Sequence, residues 1–115
     1  MDKKSNFRRG SVELLVLHLL SQRDYYGYEL TQIMKTQSDG IMDIPVGSLY
    51  PALYKLIDNG YISDYKEQIG KRLTRVYYHL EPSGKERLDI LLEDYYSTNQ
   101  AIQNILKFTD NGEES

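Results

Sequence analysis

The 115-residue chain has no cysteine, no tryptophan, two histidines and three prolines. Without cysteine, neither a disulfide nor a thiolate metal site can form, which suits a reducing compartment. His18 lies within an apolar helical run, where a core or interface role is the expectation. His79 lies on a strand-like run, facing away from the expected core. The two are far apart in sequence, and neither has a nearby carboxylate at a metal-ligand spacing. A Gly-x-Ser-x-Gly elbow and a phosphate-binding loop are both missing. Glu93-Asp94 and Glu113-Glu114 read as solvated helix and tail charges rather than catalytic pairs. These absences argue against an enzyme, and no cofactor is expected. No apolar run approaches the ~20 residues needed to cross a bilayer. The opening MDKKSNFRRG lacks the apolar centre of a signal peptide, so a cytoplasmic location is expected.

Positive charge is also scarce overall: the net charge is −3. Its distribution matters more. Residues 1–80 carry eleven lysines and arginines against nine acids, whereas residues 81–115 carry three against eight. A local basic face is compatible with an acidic whole, because only the surface nearest a phosphate backbone must be positive. Two basic clusters stand out, Lys3, Lys4, Arg8, Arg9 and then Lys71, Arg72, Arg75.

Apolar periodicity divides the chain. Val12, Leu15, Val16, Leu19 and Leu20 repeat at helical spacing, and Leu14 and Leu17 widen the stripe, so this first helix is expected to be buried on more than one side. Gly10 or Ser11 is placed to cap it. A second helix is expected from near Gly27, with Leu30, Ile33 and Met34 on one face, fading in the turn-rich TQSDG. Ile41-Met42-Asp43-Ile44 reads as a short strand. In PVGSLYPAL, Pro51 lacks an N–H and is best tolerated in a first helical turn, which predicts a helix start at Gly47 or Ser48 with Ser48 as N-cap. Leu49, Leu53, Leu56 and Ile57 form its core stripe, and Gly60 ends it. Ile62–Gln68 and Leu73–Leu80 read as strands around a Gly70-Lys71-Arg72 turn. The last helix begins at Glu81-Pro82-Ser83, with Pro82 in the favoured first position. Leu88, Leu91, Leu92, Tyr95, Ile102, Ile105 and Leu106 recur on it at seven-residue spacings, interrupted by Thr98 and Asn99. A helix of about 25 residues needs a partner surface. Residues 110–115 read as a disordered acidic tail.

The order helix, helix, short strand, helix, strand, turn, strand, long helix predicts a mainly α fold with a small β-hairpin, a winged helix-turn-helix. Residues 1–80 are expected to form that domain with its N-terminal helix, and residues 81–109 the long terminal helix that needs a partner. In winged helices the third helix enters the major groove and the hairpin turn touches the neighbouring backbone. The face of the third helix opposite its core stripe offers Gly47, Tyr50, Pro51, Tyr54 and Lys55, with Ser48 at the tip. A helix N-terminus with a glycine lets backbone amides approach a phosphate. Tyr50 has a hydroxyl for phosphate oxygen and a ring for thymine methyls, although packing within the domain is its other reading. Lys71, Arg72, Thr74 and Arg75 supply the hairpin with phosphate-binding groups.

PVGSLYPALYKLIDNGYI, then KRLTRVYYHLEPSGKERL, with RRGSVELLVLHLLSQRDYYGYEL before them, resembles the PadR family of transcriptional regulators. The resemblance runs over residues 8–108. It implies a homodimer reading a roughly palindromic double-stranded operator, repressing nearby genes, and released by a small effector. It assigns the recognition helix to Ser48, Tyr50 and Pro51, the wing to Lys71 and Arg72, and a backbone-facing helix start to Tyr26 and Gly27. It also implies that the terminal helix, through Leu88, Leu91, Leu92, Tyr95, Ile102, Ile105 and Leu106, pairs with its mate and with the first helix. The family often carries threonine as a cap where this chain has Glu81; Glu81-Pro82 is expected to do the same work. Some members hold flat aromatic compounds against an aromatic residue of the terminal helix. Tyr95, with Asn99 one turn on, falls at about that place, and its alternative is interface packing. A winged-helix protein-interaction adaptor without DNA contact is the other functional class left open.

Overall fold

The computed structural model describes residues 9–112. A single 3₁₀ turn, Arg9–Ser11, leads into α1 (Val12–Leu20). There follow β1 (Tyr25–Tyr26), α2 (Gly27–Gln37), α3 (Val46–Asp58), β2 (Ile62–Ile69), β3 (Leu73–Leu80) and α4 (Pro82–Lys107). The three strands form one antiparallel sheet in the order β1-β3-β2. Three helices followed by a β-hairpin make this a winged helix, extended by the long α4.

The core is leucine-rich, as the stripes predict. Val16, Leu17 and Leu20 of α1, Leu30 and Met34 of α2, and Leu49, Leu53 and Leu56 of α3 pack with Tyr25, Ile62, Tyr78 and Leu88. Tyr78 turns inward with its strand neighbours Val76 and Leu80, in keeping with strand alternation. Leu88 was expected at a dimer contact. It is instead 2% exposed inside the chain's own core, and Leu91 and Leu92 are half-buried against that core. The Cβ direction explains this: Gly84 and Leu88 lie one turn apart on the face of α4 that meets the hairpin base.

Other expectations are corrected. Ile41–Ile44 forms no strand; Met42 and Ile44 pack against the core from an irregular link, while Ile41 is exposed. The strand beside β3 is instead made by Tyr25 and Tyr26, which pair with Tyr78 and Tyr77. The third helix starts earlier than predicted. Pro45 is the N-cap, and its carbonyl accepts the Ser48 and Leu49 N–H groups at 2.9 and 3.1 Å. Ser48 is therefore the third helical residue, and Pro51 lies past the first turn. Its missing N–H leaves the Gly47 carbonyl without the usual i+4 donor, which is tolerable because both residues face water. His18 is exposed, within 3.1 Å of Gln22 Nε2, and not in the core.

Three junctions fix the base of the hairpin. The α3 C-terminus closes as a Schellman motif: Gly60, at φ +78°, donates to the Ile57 carbonyl and Tyr61 donates to the Leu56 carbonyl. The Tyr61 carbonyl then accepts the Glu81 N–H at 3.0 Å, and Ser83 Oγ donates to the Gly60 carbonyl at 2.6 Å. Glu81 stands at the α4 N-cap with Pro82 behind it, but its carboxylate does not cap the helix; it accepts Ser63 Oγ from β2 at 2.6 Å. Gly84 presses directly on this junction. A Cβ there would stand 2.0 Å from the Tyr61 carbonyl oxygen and 2.7 Å from Leu80 Cδ1. At the next turn Arg87 Nε donates to Glu13 Oε2 at 3.2 Å, tying α4 to α1.

Glycine to alanine inside a helix ordinarily stabilises by about 1 kcal/mol. Gly84→Ala should do the reverse, losing about 2–4 kcal/mol through the forced separation of α4 from Tyr61. Urea denaturation measures it, and a gain in stability would show that the approach is looser than described.

Candidate nucleic-acid interface

The α3 N-terminus is open to solvent. Gly47, Ser48, Tyr50 and Pro51 are all exposed, and nothing lies within 4 Å of where a Gly47 side chain would begin. The amides of Val46 and Gly47 head the helix with no intrahelical acceptor. The Tyr50 and Tyr54 rings, one turn apart, stack at 6.1 Å with an interplanar angle of 14°. Tyr50 is 37% exposed and packs in part on the head of α2: a Cβ on Gly27 would meet Tyr50 Cε1 at 3.5 Å. Tyr50 thus has one ring edge packed within the domain and the rest turned outward. Lys55 is exposed but sits nine residues after Val46, about 13 Å along the helix axis from its start.

Tyr26 is the N-cap of α2, and its N–H donates to Glu29 Oε1 at 3.1 Å. Gly27 follows, buried beneath Tyr50. The guanidinium of Arg75, from β3, lies 4.4 Å from the centre of the Tyr26 ring. Arg75 thus lies on Tyr26 while Tyr50 covers Gly27, so the hairpin, the head of α2 and the head of α3 adjoin.

The wing tip stands apart from that surface. Strand pairing ends at Ile69 and Leu73, and Gly70, Lys71 and Arg72 make the turn, with Gly70 at φ +69°. A positive φ there favours glycine. Lys71, Arg72 and Thr74 are exposed, and among the described residues neither cation has an acidic partner. The first basic cluster, through the Arg9 side chain, lies outside the described residues.

Residues that the sequence reading did not single out complete the outer sheet face. Tyr65 of β2 stacks on Tyr77 of β3 at 5.7 Å, and Tyr77 meets Tyr26 edge-on at 5.6 Å. The pairing register puts the three rings in one row across the sheet. His79 does have a carboxylate partner, Asp24, fifty-five positions earlier: His79 Nδ1 and Asp24 Oδ1 are 2.9 Å apart. The other oxygen, Oδ2, accepts the Tyr65 hydroxyl at 2.8 Å. Partial burial pushes the Asp24 carboxyl up, but the hydrogen bonds from His79 and Tyr65 and the His79 charge outweigh it and leave the group below its ordinary value. The same hydrogen bond pushes the Tyr65 hydroxyl up to about 12. Burial, and then the Tyr50 and Tyr54 hydroxyls, push Tyr78 up to about 12 as well. Strand alternation alone groups Arg75, Tyr77 and His79; Asp24 carries no local signal.

The terminal helix presents a different surface. From residue 93 to residue 107 every position is exposed except the half-buried Asn99. Tyr95 (47%), Ile102 (37%), Ile105 (71%) and Leu106 (78%) leave large apolar area open, and Ile90, Tyr96 and Phe108 add to it. The Tyr95 and Tyr96 rings meet edge-on at 5.2 Å. No helix of the described residues is long and apolar enough to cross a membrane.

Comparison with known proteins places this geometry. A transcriptional regulator from Clostridium thermocellum is 32% identical, superposes with a TM-score of 0.82, and is matched over 90% of this chain and 100% of its own. A PadR-like transcriptional regulator from Bacillus cereus is 26% identical with a TM-score of 0.79, over 91% of this chain and 100% of its own. PadR from Bacillus subtilis, solved in complex with operator DNA, is 30% identical with a TM-score of 0.66, over 70% of this chain and 46% of that one. This chain thus spans about half the length of that relative. Residues 16–90 match the model of the transcriptional regulator PadR-like family, and the chain belongs to that family.

Proposed function

We propose that two copies of this chain associate through α4 and bind a roughly palindromic operator, repressing transcription until a small effector releases them. The observation that carries the DNA-binding part is that Arg75 on Tyr26 and Tyr50 over Gly27 bring the hairpin and the heads of α2 and α3 together, flanked by an open helix N-terminus and a cationic turn with no acidic partner among the described residues. Backbone amides at the α3 start suit phosphate. Ser48, Tyr50, Pro51 and Tyr54 form the edge that meets the groove. Lys71, Arg72, Thr74 and Arg75 reach the neighbouring backbone, as wings do, and Lys55 flanks the recognition helix. The Bacillus subtilis relative, solved in complex with operator DNA, supports this reading.

Titration of duplex DNA from upstream of the chain's own gene, by fluorescence anisotropy at several salt concentrations, tests it. Lys71→Ala and Arg72→Ala should weaken binding to every sequence and flatten the salt slope by about one unit per lost phosphate contact. Tyr50→Ala should instead cost on the order of 1–3 kcal/mol on the preferred sequence and less on others. Absence of wild-type binding at low salt would favour the adaptor role, which the net charge of −3 permits.

Dimerisation rests on the exposed apolar row of α4 beyond the core, since a monomer seldom leaves such a row open. Leu91, Leu92, Tyr95, Ile102, Ile105 and Leu106 supply the contact, with Leu88 beneath them as support. Ile105→Glu should give a monomer by sedimentation equilibrium and lose tight binding to the full site while the fold persists. A monomer that keeps tight binding would refute the two-half-site arrangement.

For the effector, Tyr95 with Asn99 nearby offers a ring face near the start of the exposed stretch. Calorimetric titration of planar aromatic compounds into wild type and Tyr95→Ala should show binding lost in the variant; equal affinity would leave Tyr95 as interface packing only.

A further inference from the structure

Beyond the reach of β1, the wing is a two-stranded ribbon. Four residue pairs, from Lys66↔Val76 to Ile69↔Leu73, extend past the last position that β1 covers. Two-stranded ribbons are marginal by themselves in water, so their direction is set at the base. The tip lies five residues past Tyr65, or roughly 16 Å at ~3.3 Å per residue, and a tilt of about 10° would move it by roughly 3 Å. That is enough to break a phosphate hydrogen bond.

On the inner face, Ile62, Val76, Tyr78 and Leu80 anchor the base in the core. On the outer face one side chain reaches both strands. Asp24, in the link between α1 and β1, accepts the Tyr65 hydroxyl from β2 on Oδ2 and meets His79 from β3 on Oδ1. Tyr65 then stacks on Tyr77, Tyr77 abuts Tyr26, and Tyr26 carries Arg75 on its face. The neighbouring charges are engaged elsewhere. Arg23 donates to the Asp24 carbonyl and pairs with Glu29, and Glu81 accepts Ser63.

We infer that Asp24 is a positioning residue: its carboxylate clamps both wing strands to the start of α2 and so sets where Lys71 and Arg72 meet the duplex. The inference rests on the DNA-binding reading above. It makes a prediction opposite in sign to simple electrostatics. Removing an acid near a DNA-facing surface should tighten binding if only charge matters, whereas removing a clamp should weaken it.

The test uses the full chain and the same upstream duplex. Asp24→Ala should lower affinity by roughly 3- to 10-fold, as expected for partly exposed charge-assisted hydrogen bonds. The salt slope should stay unchanged, because no phosphate contact is lost. The ¹⁵N relaxation of the residue 71–73 amides should show larger motion, and the Tyr65 hydroxyl should titrate below its value of about 12. The double variant Tyr65→Phe with His79→Ala should reproduce the loss of affinity and the larger wing-tip motion, and adding Asp24→Ala to it should change affinity by less than about 2-fold. Should Asp24→Ala fail to fold, Tyr65→Phe, which removes one hydroxyl, carries the affinity and relaxation readouts at roughly 2- to 3-fold. Affinity unchanged or improved, with wing-tip relaxation unaltered, would overturn the inference. If the wild type binds no DNA, the regulator reading fails, and the relaxation comparison still decides whether Asp24 holds the wing.

Discussion

The carbonyl of Tyr61 is the point on which the arrangement depends. It follows directly on the α3 C-terminus, whose Schellman closure fixes its direction. It accepts the Glu81 N–H, so the start of β2 and the end of β3 close at one place. Gly84 lies against it at a separation that no side chain permits. α3, the hairpin and α4 therefore share one rigid junction. Few degrees of freedom remain between the start of α3 and the long helix, because backbone against backbone cannot adjust as side chains do.

From that junction the fold becomes progressively freer outward. At the hairpin base, core side chains hold one sheet face, and the row of tyrosines with Asp24 and His79 holds the other. At the tip, Lys71 and Arg72 have no acidic partner among the described residues. The gradient suits a surface in which a fixed helix end sets register while a cationic turn seeks a backbone. Exposed cations without partners contribute little to stability.

The terminal helix divides along its length in the same way. Its first turns are part of the core through Gly84, Leu88 and the Arg87–Glu13 pair. Its later turns carry open apolar side chains and only a small acidic excess, Glu93 and Asp94 against Lys107; most of the net negative charge of residues 81–115 follows the helix, in Asp110, Glu113 and Glu114.

The sequence by itself determined the helices, the hairpin and the buried stripes, because a 3.6-residue or two-residue apolar period survives in any single chain. Pro82 and Gly60 marked their boundaries correctly for the same local reason. The start of α3 did not follow from Pro51, because an exposed Gly47 lets a proline sit past the first turn. The third strand was hidden in Tyr25-Tyr26, since two residues carry no period and only the free edge of β3 selects them over Ile41–Ile44. Leu88 and Leu91 fit one heptad pattern, yet tertiary packing buried the first and left the second half open. Tertiary structure alone decided the need for glycine at position 84 and the meeting of Asp24 with His79 and Tyr65. Both depend on distances between segments far apart in the chain, and no local pattern of residues encodes such a distance.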